Sequence, residues 1–526
     1  MSTTPSPGST AGTPDLGDIQ KLVTRGYNFN FSWHLILTLQ DPVDARKFLR
    51  QLADDGWLVG ADESWVNIEK RCKREQSMPC ALSLGITFEG LQKLKTNERR
   101  LDVLRDKAPA FAQGAYHRAA SQLGDVEGSA PDKWEVSFRP DKAHLLLVLH
   151  ANTEKALKKA EDELKKMAGE KAFEKEWARH EAAHLTTDPK NRTVHFGMRD
   201  GLSNPKILYE GPEPTERGEQ PDPVHNRHRL GEFVLGYDNN DGVNPWRLPA
   251  ERPASSRIPA AEQSKELADF FKNGSFAAFR KMQQHEAGFR TFVQKQATTL
   301  QGKHNLQDAE AFIRAKLLGR WDDGKILQAK DTMVSGPTGP AATANFDFTG
   351  DQAGQGCPFG AHIRRMNPRD DPVVPFRRRP ILRRGMPYGE PYNRENYKKN
   401  DGEGYDYKDD GENRGLIGLF FCASLEHQFE HLVGQWANDT PMGTNNRGNA
   451  RDPLIGLNDL VRHVYDIPLS DTTALALRGL TPFVTTKGTL YAFFPSLSAV
   501  KQLAEPLAPD AGTNRLYPCE TGPASP

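Results

Sequence analysis

Residues 357–389 read CPFGAHIRRMNPRDDPVVPFRRRPILRRGMPYG. One histidine, His362, stands inside this stretch. Gly350, Gly354, Gly356 and Gly360 lie around its start, where they let a backbone pass close to a ligand. An arginine-rich run follows: Arg364, Arg365, Arg369, Arg377, Arg378, Arg379, Arg383 and Arg384. Such a run also suits a nucleic-acid patch or a solvated face. Pro368, Pro372, Pro375, Pro380 and Pro387 argue against that, because they impose stiff, extended backbone in place of a basic recognition helix.

Imidazole is a common ligand for haem iron, and guanidinium forks match the carboxylates of haem propionates. One loop thus carries groups suited to both the iron and the acidic edge of a haem.

A second motif lies upstream, His195-Phe196-Gly197-Met198-Arg199-Asp200-Gly201-Leu202-Ser203-Asn204-Pro205. GCPFGAHIRRMNPR with ILRRGMPYG resembles the haem-binding region of the dye-decolourising peroxidase family, and the upstream motif is similar to that family's G-x-x-D-G signature. Further similarity runs through Asp18-Ile19-Gln20, GEFVLGY at 231–237, NGSFAAFRKMQ at 273–283 and ASLEHQFEHL at 423–432. It covers about residues 17–505 and is nearest to the larger, bacterial-like members. The resemblance implies an α+β fold with two ferredoxin-like domains, each an antiparallel sheet with helices.

The length of 526 residues suits two domains or one with large insertions. The expected division is a flexible tail over 1–17, an N-terminal ferredoxin-like domain over 18–190, and a C-terminal haem-binding domain over 191–526. A helical insertion is expected at about 250–330, with Phe270, Phe271, Phe276, Phe279, Phe289, Phe292 and Trp321 as its apolar faces. Strands are predicted at 34–39, 81–87, 145–149, 416–422 and 490–494, and helices over 42–52 and 153–178. Leu425, Phe429, Leu432, Val433 and Trp436 form one face of a further helix. Residues 205–230 read as a linker or long surface loop. Residues 391–415, with Tyr392, Tyr397, Tyr405 and Tyr407, read as a mobile loop.

Lysine plus arginine and aspartate plus glutamate both number 69, which argues against a general polyanion binder. No apolar run approaches a membrane span. The N-terminus shows neither a secretory signal nor a twin-arginine pair, so a cytoplasmic location is expected. Five cysteines, Cys72, Cys80, Cys357, Cys422 and Cys519, without a Cys-x-x-Cys pair, fit a reducing compartment and exclude haem c attachment. Cys357 is close enough to His362 in sequence to be weighed as a thiolate ligand.

The resemblance implies one haem b per chain with His362 as iron ligand. It implies Asp200 as the distal proton shuttle, a role that needs a positioned base. Arg383 would stabilise charge on the departing oxygen, with Arg384 the neighbouring alternative. Arg365 is the candidate for a propionate and Asp452 for the carboxylate behind His362. Asp200 before Gly201 also reads as an ordinary turn aspartate, and Asp452 as a turn or cap before Pro453. On the strand at 416–422, a glycine falls where the family places an aromatic.

The function implied is peroxidase chemistry: hydrogen peroxide is reduced, and phenolic or dye-like aromatic reductants are oxidised in one-electron steps through a ferryl intermediate. A haem-handling protein without turnover is the first alternative. The second is a zinc hydrolase, because His180-Glu181-Ala182-Ala183-His184 matches H-E-x-x-H on a predicted helix. That segment lacks an evident third ligand and is flanked by charge, so it also reads as an exposed helix end.

Overall fold

The computed structural model describes residues 13–64, 67–68, 80–209, 226–247, 261–301, 308–327, 346–369, 379–400, 404–438, 451–457, 464–470 and 472–507. Arg377 and Arg378, like Cys72 and Cys519, lie outside the described residues.

The stretch FSWHLIL forms β1 (Phe31–Leu37), the seed of the first half. A strand buried on both faces reads as a nearly unbroken apolar run. Trp33, Leu35 and Leu37 pack with Phe48, Leu49 and Leu52 of helix α1 (Pro42–Asp54), while Ile36 enters a second core on the other face. Asp41 caps α1 by accepting from the Val43 and Asp44 amides, and Pro42 opens its first turn. Then follow β2 (Ala81–Ile86), β3 (Leu145–Ala151), helix α2 (Glu154–Ala168) and β4 (Ala178–Ala183).

The second half repeats this plan. After helix α3 (Ala261–Phe271) come β5 (Ser275–Gln284), helices α4 (Glu286–Gln301) and α5 (Ala309–Leu318), and the short helix α6 (His362–Met366). β6 (Leu382–Tyr388), β7 (Gly415–Cys422), helix α7 (Leu425–Trp436) and β8 (Val484–Phe494) complete it. The eight strands form one sheet in the order β4-β1-β3-β2-β8-β5-β7-β6, so each half has the ferredoxin-like order of its fourth, first, third and second strands. The halves meet where Phe493 of β8 pairs with Ile86 of β2. The end strands β4 and β6 also lie beside each other, curling the sheet toward a barrel.

One core fills the inside of this curl, with Val148, Phe279, Leu382, Leu419 and Phe494. Another packs helices on its outside. A third binds α4 and α5 to residues 464–483 and to Phe196 and Met198.

Three expectations change. The helix expected over 153–178 ends at Gly169, whose φ of +65° closes α2, and HEAAH lies on strand β4 up to Ala183, with His184 just past its end. The expected helical insertion at about 250–330 is interrupted by β5, so Phe276 and Phe279 are strand residues and the inserted helices are α4 and α5. The loop at 391–415 is packed where described: Tyr392 stacks on Tyr397 and Tyr405 on Tyr407, with Arg290 of α4 over Tyr392. In the expected linker, residues 206–208 pair in parallel with 227–229, and 210–225 lie outside the described residues.

Candidate functional site

The first expected site residue sits on α6. Successive residues turn about 100° around a helix, so His362, Ile363 and Met366 share one side while Arg364 and Arg365 take the other. The former three line a cavity of about 900 Å³, and both arginines are buried away from it. Arg364 holds the glycine-rich loop through Asp351 and the Cys357 carbonyl, 2.6 Å from its Nη1. Arg365, the expected propionate partner, does not line the cavity. Cys357 is buried and also off that wall.

Asp452 Oδ2 lies 2.7 Å from His362 Nδ1. Asp452 Oδ1 accepts from the amides of Leu454 and Ile455, so this fully buried carboxylate is held on both oxygens. Burial alone would raise its pKa. The His362 charge and hydrogen bond, with the two amides, outweigh burial and hold it below the usual value. An ionised carboxylate can only accept, so in the neutral ring that a ligand requires the proton sits on Nδ1 and Nε2 keeps its lone pair. His228 also lines the cavity, but Asn240 occupies its Nδ1.

The sheet provides another wall. Arg383, Gly385 and Pro387 of β6 pair with Phe420, Gly418 and Leu416 of β7 and share their face. Leu416 and Phe420 line the cavity, and a Cβ on Gly418 would lie 2.5 Å from the Phe420 ring. The aromatic ring thus covers the glycine position that the sequence left open.

Asp200 reaches this wall through its motif. His195 Nε2 lies 2.7 Å from the Tyr388 carbonyl, at one end of β6. Asn204 Oδ1 accepts from the Arg383 amide at 2.9 Å, near the other end. The motif is therefore clipped along β6, and Asp200 Oδ1 comes 3.2 Å from Arg383 Nη1. Both side chains are about one-third exposed and line the cavity. The neighbouring alternative, Arg384, points to the inner side of the sheet and donates to the Leu22 and Val23 carbonyls.

Arg320 was missed by sequence reasoning. It follows Gly319, which ends α5 with a φ of +99°, and no motif marks it. It lines the cavity, donates to Ser203 Oγ at 2.8 Å and to the Gly324 carbonyl at 2.7 Å, and burial lowers its pKa to about 10.

These residues fit a haem. The cavity has apolar walls from Met282, Leu416, Phe420, Phe429, Leu432 and Leu454, an imidazole nitrogen without a described hydrogen-bond partner, and arginines for an acidic edge. The zinc reading fails on β4. Along a strand, His180 and His184 lie about 13 Å apart. His180 is also buried against Ser137, Glu135 and Lys281, and burial brings its pKa down to about 3. Among the described residues no cluster of three or more His, Cys, Asp or Glu is placed to hold a metal. No helix among them is long and apolar enough to cross a membrane.

Comparison with known proteins agrees with this geometry. Residues 29–180 match the profile of the DyP dimeric alpha+beta barrel domain. Dye-decolorizing peroxidase msp1 of Mycetinis scorodonius is 27% identical over 450 residues, covering 80% of this chain and 76% of its own. Multifunctional dye peroxidase DyP2 of an Amycolatopsis species is 26% identical over 481 residues, covering 89% and 91%. The solved structure of an ancestral D-type dye decolorizing peroxidase superposes with a TM-score of 0.71 at 25% identity, over 94% of this chain and 100% of its own. Matches run across both halves of the barrel and accompany the imidazole–carboxylate pair in the cavity: over most of its length the chain is similar to the dye-decolourising (DyP-type) peroxidases.

Proposed function

We propose that the chain is a haem peroxidase that reduces hydrogen peroxide and oxidises phenolic or dye-like aromatic reductants one electron at a time. The observation that carries this reading is His362, fixed by Asp452 at Nδ1 and opening at Nε2 on the cavity that Asp200 and Arg383 also line. A relative solved with 2,6-dimethoxyphenol supports the reductant class.

His362 would hold one haem b per chain, with Arg320 rather than Arg365 at the acidic edge. Haem bound there would supply the redox chemistry, two electrons to peroxide restored one at a time by the reductant. Asp200 would take a proton from hydrogen peroxide and return it to the oxygen that leaves as water. Arg383 stabilises the negative charge on that departing oxygen and holds the Asp200 carboxylate in place. Leu416, Phe420 and Met282 keep water from the reacting face. Asp452 fixes the imidazole tautomer and raises its basicity. A reducing, cytoplasmic setting suits the buried cysteines Cys80, Cys357 and Cys422.

The test is the visible spectrum of protein expressed with adequate haem, wild type beside His362→Ala. The expected result is a Soret band that is lost or shifted in the variant and responds to peroxide in the wild type. A wild type that takes up no haemin would sink the proposal. A Soret band with no response to peroxide would favour haem handling instead.

A further inference from the structure

Behind the Asp200–Arg383 pair lies a second cavity of about 370 Å³. Both cavities share Asp200 and Arg383 in their walls, so the pair forms a partition between them. The inner cavity occupies the polar end of the barrel interior, where β1 and β3 present His34 and His150 and β6 presents Arg384.

Its lining is unbalanced in charge. Asp200 is the one carboxylate among the described lining residues, and Arg383 already pairs with it. Arg384 is half-buried, and its described hydrogen bonds go to three neutral carbonyls, those of Leu22, Val23 and Arg383, at 2.9–3.0 Å. Arg192, on the same wall, donates to the side-chain oxygens of Asn28 and Asn30. Neither guanidinium has a described carboxylate partner. His150 is 7% exposed, and its Nδ1 has no hydrogen-bond partner.

A charge withdrawn from water is normally paired, and a buried polar atom without a partner signals an unrecorded water or ion. Here both irregularities face one cavity. A water molecule can satisfy the imidazole but leaves the guanidinium charge uncompensated. An anion meets both needs, because it accepts from the N–H groups and supplies the missing charge.

We propose that the inner cavity binds a small monovalent inorganic anion, of halide or nitrate size, between Arg384 and His150. The site is separate from the haem cavity and does not depend on peroxide turnover. Its occupant adds negative charge behind Arg383, on the side away from the haem cavity.

The experiment uses crystals of the haem-loaded protein grown in sodium bromide, read by bromine anomalous scattering, with bromide titration calorimetry in solution. The expected result is an anomalous peak between Arg384 and His150 and a saturable heat. In His150→Phe, whose ring fills the space, both should vanish while circular dichroism stays native. Arg384→Met is the second variant, expected to weaken bromide binding at least tenfold. No peak in the wild type, or a peak and a heat unchanged in a folded variant, overturns the proposal.

Discussion

Asp452 Oδ2 and His362 Nδ1 stand 2.7 Å apart, with the carboxylate fully buried and the imidazole open to the cavity. The carboxylate is anchored in turn by the Leu454 and Ile455 amides, so it cannot swing away from the ring. Replacing it with a neutral isostere tests its charge apart from its shape. Asp452→Asn is predicted to fold and bind haem with a more positive reduction potential. Haem affinity or turnover should fall by about 10–100-fold, the usual effect of losing such a partner. Spectroelectrochemistry decides: an unchanged potential would mean that the carboxylate does not tune the ligand.

Asp200→Asn is predicted to slow the reaction with peroxide by about 10²–10⁴-fold, the contribution of a positioned acid–base group. Arg383→Leu should cost about 10²–10³-fold through lost charge stabilisation. Both should keep the haem content of the wild type, because His362 and Asp452 are untouched. Stopped-flow recording of the Soret band after peroxide addition measures these rates. A wild-type rate in Asp200→Asn would remove the carboxylate from the proton path.

Glu430 of α7 receives Arg118 Nε and Nη2, both at 2.6 Å, and the Tyr491 hydroxyl at 2.9 Å. It is buried, so its loss strands the guanidinium. Glu430→Leu should lower unfolding free energy by about 3–5 kcal/mol, the range for breaking a buried ion pair. Urea denaturation reads this directly, and a loss below about 1 kcal/mol would assign the network no structural weight.

Acid should destabilise the barrel before its carboxylates titrate. Burial lowers His34 from 6.5 to about 4, and lowers His150 and His180 to about 3, with nearby positive charge adding to the effect on the last two. Below about pH 6.5 the unfolded chain binds protons that the folded chain refuses, so stability falls as pH falls toward the folded values. Each imidazole contributes at most about 1.4 kcal/mol per pH unit. Urea midpoints at pH 7 and pH 5 should differ, with a shallower slope in His180→Gln. Equal midpoints would contradict this account.

Much of the site was legible because its chemistry is carried by short, contiguous motifs. His362, Asp200 and Arg383 came from two such stretches, and all three line one cavity. Asp452 was a candidate partner for His362 that read equally well as a turn Asp before Pro453; what distinguishes it is a contact across 90 residues. Arg365 was named from the motif alone, which gives no view of which arginines reach the cavity, and it does not line it. Arg320 carried no local signal, since its partners Ser203 and Gly324 are set by the packing of α5. HEAAH shows the same limit in secondary structure. Its alanines and charges suit a helix, but pairing with β1 makes it a strand, and tertiary contacts override local preference.

The repeated strand order has a consequence for how the molecule divides its labour. Both halves carry the same four-strand plan, yet His362, Asp452, Arg383, Phe420 and the clipped Asp200 motif all follow residue 190. Among the described residues of the first half, only 123–129 reach the cavity that His362 lines. One copy of the plan has become the workshop and the other its outer wall. Substitutions in that wall can alter how firmly the barrel closes while leaving the reacting groups in place.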